Sequence, residues 1–197
     1  MNIISFNTLY RLRLTDVVLM PRYVGIAAYS GPPSDSLREA AIEFIETLSL
    51  CIEPQSVVLI TGGYWGLMRI IVDEALKLGF KVLILPPLEM EDVRFPPDAI
   101  VVRTGTSFRI RSVFLVRTSE VLVALGGASG TIQEIVTAYA EGVPIYILGM
   151  TGLPTDKLTV FSPYIDDRKT SIIKVINDPK TLASEVCKYL REHPRGD

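Results

Sequence analysis

From Pro21 onward, short apolar runs alternate with glycine- or proline-bearing turns and then with stretches in which apolar residues recur every three or four positions. The short runs predict strands, the three-to-four spacing predicts helices, and their regular alternation predicts parallel strands joined by crossover helices. The first strand covers 23–29. The turn Ser30-Gly31-Pro32-Pro33 follows, and then a helix from Ser36, whose spacing to Glu39 fits a capping box. Leu37, Ala40, Ala41, Phe44, Ile45 and Leu48 form its apolar face. A strand over 57–60 leads through Thr61-Gly62-Gly63-Tyr64-Trp65-Gly66 into a helix over 67–78 closed by Gly79. Strands at 81–85 and 100–103 flank a surface excursion over 88–99 that has no period. Next come a helix over 107–118, with Phe108, Arg111, Leu115 and Thr118 on one flank, and a strand over 121–125. A glycine loop, a helix over 131–141 and a strand over 144–148 complete another unit. A long polar connection over 149–171 precedes a strand over 172–176 and a terminal helix over 180–192, whose start is marked by Asp178-Pro179.

The whole reads as a single doubly wound α/β domain with a mostly parallel sheet of about seven strands, over 23–197, preceded by an N-terminal extension over 1–22. Its 197 residues fit one domain, and 48% hydrophobic residues suffice for a large core. The longest uncharged stretch, about 15 residues from Pro54 and broken by glycines, is too short to span a membrane. Residues 1–20 interleave arginines with apolar residues and end in no small-residue cleavage site, so a soluble, cytoplasmic chain is expected. Twenty basic against 22 acidic residues, with no basic stripe, speak against a nucleic-acid partner. Cys51 and Cys187 lack metal-site spacing and fall in helical segments, so they read as two buried thiols rather than a disulfide scaffold. His193, in the tail, reads as solvated surface.

In open parallel sheets, ligands bind beyond the carboxyl ends of the strands, where loops feed helix N-termini. Three such loops are rich in glycine or proline: the one with Ser30 and Gly31, the one with Gly62 and Gly63, and Gly126-Gly127-Ala128-Ser129-Gly130-Thr131. Glycine permits close backbone approach and a helix N-terminus presents free N–H groups, so a phosphate is the natural guest. None of the loops is a P-loop or a dinucleotide fingerprint, which disfavours a P-loop NTPase and an ordinary NAD enzyme.

Three side chains each carry two readings. Trp65 either stacks on a planar base or lies as an aromatic lid on helix packing. Glu134, three residues after Thr131, either closes a capping box or places a carboxylate where positive charge develops on a sugar as its glycosidic bond breaks. Arg111 is either a surface arginine beside Arg109 and Arg117 or a planar fork of donors for a phosphate or a leaving base.

The segment Thr61-Gly62-Gly63-Tyr64-Trp65-Gly66-Leu67-Met68 resembles the GGG-x-x-GLM loop of the LOG-like family of the SLOG superfamily, Rossmann-type proteins long mislabelled as lysine decarboxylases. Gly126-Gly127-Ala128-Ser129-Gly130-Thr131-Ile132-Gln133-Glu134 resembles that family's PGGxGTxxE motif, and Arg111 stands at the spacing of its upstream arginine. The departures are Gly126 for the motif proline, Ala128 for a glycine and Ser112 for the lysine after the arginine. Loss of proline and lysine makes the chain similar to the branch of molybdenum-cofactor carriers and uncharacterised members. The resemblance implies Arg111 and Glu134 as a catalytic pair and Gly127, Gly130 and Thr131 as a phosphate loop, beside which Gly126 and Ser129 of the same glycine loop are further candidates for phosphate contact. It also implies hydrolysis of a nucleoside 5'-monophosphate to free base and ribose 5-phosphate, with no metal or other cofactor required. The alternative is a binding or carrier protein that holds a nucleotide or the molybdenum cofactor, a phosphorylated pterin, without cleaving it. Self-association as a homodimer or larger homo-oligomer is implied in either case.

Overall fold

Seven strands and five α-helices alternate along the chain in the structure, a computed structural model that describes residues 20–194. They are β1 (Arg22–Ala28), α1 (Asp35–Cys51), β2 (Val57–Thr61), α2 (Gly66–Lys77), β3 (Lys81–Ile84), β4 (Ile100–Val101), α3 (Phe108–Thr118), β5 (Val121–Leu125), α4 (Ser129–Ala140), β6 (Ile145–Leu148), β7 (Ile173–Ile176) and α5 (Pro179–Glu192). Every pairing is parallel, in the order β4-β3-β2-β1-β5-β6-β7. Most of the N-terminal extension expected over 1–22 lies outside the described residues, and Arg22 already belongs to β1.

β2 and β5, on either side of β1, are buried along their whole length, as their unbroken apolar runs require when helices cover both faces. Alternate residues face opposite layers. Val121, Val123 and Leu125 of β5 join the core formed with α1, α2 and α5, where Phe44, Ile71 and Val186 are fully or almost fully enclosed. Leu122 and Ala124 join Leu115, Ile135 and Ala138 of α3 and α4 on the other face. The helical periodicity of α1 therefore found the correct face, although Ala40 is only half-buried.

Four local expectations are corrected. The N-cap of α1 is Ser34, whose Oγ accepts the Leu37 N–H at 3.2 Å, so the predicted Ser36 capping box is displaced by two residues. The buried flank of α3 is Arg111, Ser112, Leu115 and Val116, whereas Phe108 and Thr118 lie exposed. The connection over 149–171 is partly ordered as a 3₁₀ helix, Pro154–Phe161, anchored by buried Thr155 and Leu158. The cysteines are not free thiols: Cys51, the last residue of α1, is joined by a disulfide to Cys187 of α5, with Cα atoms 6.2 Å apart.

That pairing was invisible in the spacing because Cys51 and Cys187 stand 136 positions apart in sequence and meet only where α1 packs against α5. His193, by contrast, is exposed as expected, stacked on Tyr189 at 4.4 Å. Among the described residues no helix is long and apolar enough to cross a membrane. Alkylation of the denatured, unreduced protein is expected to leave the mass unchanged, and reduction to expose both cysteines. Reduction should also lower the unfolding free energy by about 2–4 kcal/mol in denaturant titration.

Candidate functional site

The chain moves outward from β1 to β4 and then returns to add β5 on the other side of β1. This reversal leaves a crevice between the carboxyl ends of β1 and β5, where Ala28 and Leu125 stand in register. A cavity of about 150 Å³ occupies it. Ala28 and Ser30 line it from the end of β1, Trp65 and Met68 from the start of α2, and Phe108 and Arg111 from α3. Ala128, Ser129, Gly130, Thr131 and Glu134 close it from the start of α4. Phe108, Arg111, Ser129 and Gly130 also border an adjoining groove of about 410 Å³ between α3 and α4.

At the floor, Arg111 Nη1 meets Glu134 Oε1 at 2.8 Å, and Ser112 Oγ lies 3.0 Å from the same oxygen. The ion-paired side chains are only 8% and 7% exposed. Glu134 Oε2 makes no hydrogen bond among the described residues, and Arg111 Nε is buried without a partner. Burial pushes the Glu134 carboxyl above the usual carboxylate range, against the pull of the Arg111 guanidinium and the Ser112 hydroxyl. Both bland readings therefore fall. Arg111 is not a surface arginine, and Glu134 reaches across to α3 instead of folding back on its own helix, which begins at Ser129 with Ala128 as cap.

Glycines in the second loop make this possible. A Cβ on Gly62 would stand 2.0 Å from Arg111 Nη1, so the guanidinium lies directly on that backbone. Gly66, at φ +54°, sits against the Ser30 carbonyl, and Leu67 N–H donates to Tyr29 O at 3.0 Å, which fastens the first loop to α2. Trp65 is half-buried, its ring laid over Gly63 and its edge on the cavity. It is thus a packed lid that also borders the site.

The helix ends separate into two groups. Ser34 caps α1 and Asp178 caps α5 by accepting backbone N–H groups, and neither helix lines the cavity. The helices that do line it, α2, α3 and α4, begin at Trp65, Ser107 and Ala128 with no side-chain cap. In α4 the first helical bond is Ile132 N–H to Ala128 O, so the N–H groups of Ser129, Gly130 and Thr131 precede the ladder. Together they give the rim a positive partial charge suited to an anion.

The predicted site residues do not all serve alike. Ser30, Ser129, Gly130 and Thr131 border the cavity, and Gly130 has open space around it. Gly31 belongs to the wall behind Gly66, and Gly126 takes the turn at φ +76°. The Gly127 N–H is spent within the protein, donated to Thr155 Oγ1 at 3.0 Å, while Thr155 N–H returns a bond to Gly127 O at 3.1 Å. Sequence reasoning missed Thr155 because it lies in a connection without periodicity. It also missed the contact of Ser112 with Glu134, for which a serine one position after Arg111 was the available signal.

The model of the SLOG cluster4 family matches residues 23–182. The chain belongs to that family. An uncharacterised protein of Archaeoglobus fulgidus is 32% identical over 111 residues, covering 52% of this chain and 72% of its relative. Among solved structures, the structural-genomics target TM1055 superposes with a TM-score of 0.73 at 28% identity, over 87% of this chain and 99% of the target. The molybdenum cofactor binding protein of Rippkaea orientalis gives 0.68 at 19% identity, over 87% and 98%. DNA processing protein A of Helicobacter pylori, described with a single-stranded DNA binding mode, gives 0.62 at 16% identity, over 88% and 85%. The last two share the fold with this SLOG protein.

Gly62→Ala is expected to keep the fold but push Arg111 off Glu134, costing about 1–3 kcal/mol of stability and most of the ligand-induced rise in melting temperature. Thr155→Val leaves the Gly127 amide unpaired in a buried place, and should cost about 1–3 kcal/mol in chemical denaturation.

Proposed function

We propose that this SLOG protein binds a nucleoside 5'-monophosphate at the rim of the sheet and hydrolyses its N-glycosidic bond to free base and ribose 5-phosphate. The observation that carries this reading is the buried Arg111–Glu134 pair at the mouth of three uncapped helices. The phosphate sits on the N–H groups of Ser129, Gly130 and Thr131 at the start of α4. Ser30 and the packed Gly62-Gly63 and Gly126-Gly127 turns form the surrounding wall. Glu134 faces the sugar, where a carboxylate stabilises the cationic character of the opening ring, and Arg111 orients the nucleotide and assists the leaving base. Nothing in this scheme calls for a metal or another cofactor.

A second reading has its own support. Glu134 Oε1 is already engaged by Arg111 and Ser112, and Ser112 stands where the resemblance places a lysine. A pocket so closed on itself suits a binder that holds a nucleotide or the molybdenum cofactor intact. In either reading the partner is a phosphorylated small molecule, not a membrane or a nucleic acid. The exposed Ile110, Phe114 and Val136 on α3 and α4 suit a second copy of the chain beside the site.

Incubation with AMP is expected to release adenine, measured by chromatography, and Glu134→Gln to slow the release by about a hundredfold or more. Undiminished turnover in Glu134→Gln overturns the assigned role. Intact AMP recovered after prolonged incubation, with a raised melting temperature, replaces hydrolysis by binding. Stabilisation by single-stranded DNA, but by no mononucleotide or phosphorylated pterin, overturns both readings.

A further inference from the structure

The two oxygens of Glu134 are not equivalent. Oε1 lies 2.8 Å from Arg111 Nη1 and 3.0 Å from Ser112 Oγ, whereas Oε2 has no partner among the described residues. A carboxyl oxygen that accepts from a guanidinium and a hydroxyl gains most by staying an acceptor, because a proton placed on it would point at the donors. Ser112 Oγ is also 3.1 Å from the Phe108 carbonyl, which competes for the single hydroxyl proton, and the negative charge of the Glu134 carboxylate, at 3.0 Å, makes it the stronger acceptor. We propose that Ser112 is a positioning residue which, with Arg111, ties down Oε1 and reserves Oε2 as the seat of the Glu134 proton.

The identity of the side chain at 112 is decisive for this arrangement. A lysine ammonium there would add a second positive charge beside the carboxylate and hold it ionised. A serine supplies a hydrogen bond without charge, so only Arg111 pulls Glu134 towards the ionised form by its charge and burial can favour the protonated acid. Among the described residues no other ionisable group lines this cavity, where Ala28 and Ser30 face it from the end of β1, Trp65 and Met68 from α2, and Ser129 and Thr131 from α4, and Arg109 borders the adjoining groove. Burial, Arg111 and Ser112 are accordingly the influences on Glu134, with burial the largest and acting to favour the neutral acid.

The use of that proton rests on the proposed hydrolysis. Oε2–H gives its proton to the leaving nitrogen of the base, which takes the electron pair of the glycosidic bond. The carboxylate so formed faces the cationic sugar. Water then adds at the sugar carbon and its released proton restores the acid, so that one water is consumed for each base and ribose 5-phosphate formed.

The test uses the full, ligand-free chain with ¹³C-carboxyl-labelled glutamate, the Glu134 resonance being assigned by its loss in Glu134→Gln. Wild-type Glu134 is expected to titrate above ordinary carboxylates. Ser112→Ala should raise its midpoint by about one pH unit, the equivalent of one hydrogen bond to a charged acceptor. Ser112→Thr should restore the wild-type midpoint, and Ser112→Lys should bring it below. A midpoint that does not move in Ser112→Ala or in Ser112→Lys overturns the proposal, and so does a Ser112→Thr protein that behaves like the alanine variant. Midpoints that shift as stated while AMP stays intact uphold the role of Ser112 and overturn only the hydrolytic reading.

Discussion

Two opposite charges taken out of water are held at a cost that their mutual attraction repays only when the geometry is good and the remaining polar atoms find partners. In its ionised form the Arg111–Glu134 pair meets the first condition, with a single short contact between nearly enclosed side chains, and only partly the second. Much of the surrounding architecture reads as what is needed to keep that pair in place. Gly62 removes the side chain that would occupy the guanidinium's position, and Ser112 supplies a further donor to the shared oxygen. The reversal of strand order between β1 and β5 opens the space beside it. Arg111 Nε and Glu134 Oε2 are the polar atoms of the pair that the described residues leave without a partner.

The same economy governs the glycine loops. They are not uniformly a phosphate cradle: one glycine is consumed by the guanidinium, one by the carbonyl of the neighbouring loop, and one amide by Thr155. What remains for an anion is the uncapped first turn of α4, set beside two further uncapped helix ends. The ends of α1 and α5, away from the cavity, are capped by Ser34 and Asp178.

The strand–helix alternation was legible in the sequence because each element carries its own local signal: an apolar run bounded by turns, or a helical stripe ending in glycine. Arg111, Glu134 and the three loops were legible as a constellation through the resemblance of their motifs. The features that escaped share a different cause, since each depends on which elements become neighbours. The cap of α1 is a local exception, Ser34 accepting the Leu37 N–H two residues before the capping box expected at Ser36. The ties between Thr155 and Gly127, between Ser112 and Glu134, and between Cys51 and Cys187 all join segments that no local pattern relates.

The sulfur–sulfur link has a topological meaning beyond stiffening. It runs from the end of α1 to α5, so β2 through β7, the loop bearing Gly62 and the helices bearing Arg111 and Glu134 all belong to one covalent ring. Among the described elements β1, most of α1 and the last residues of α5 lie outside that ring, and β1 pairs between β2 and β5, which belong to it. A single backbone cut anywhere in the excursion after β3 or the connection after β6 would open the ring without parting the chain into two molecules. The rim that holds the charged pair would remain tethered to both halves.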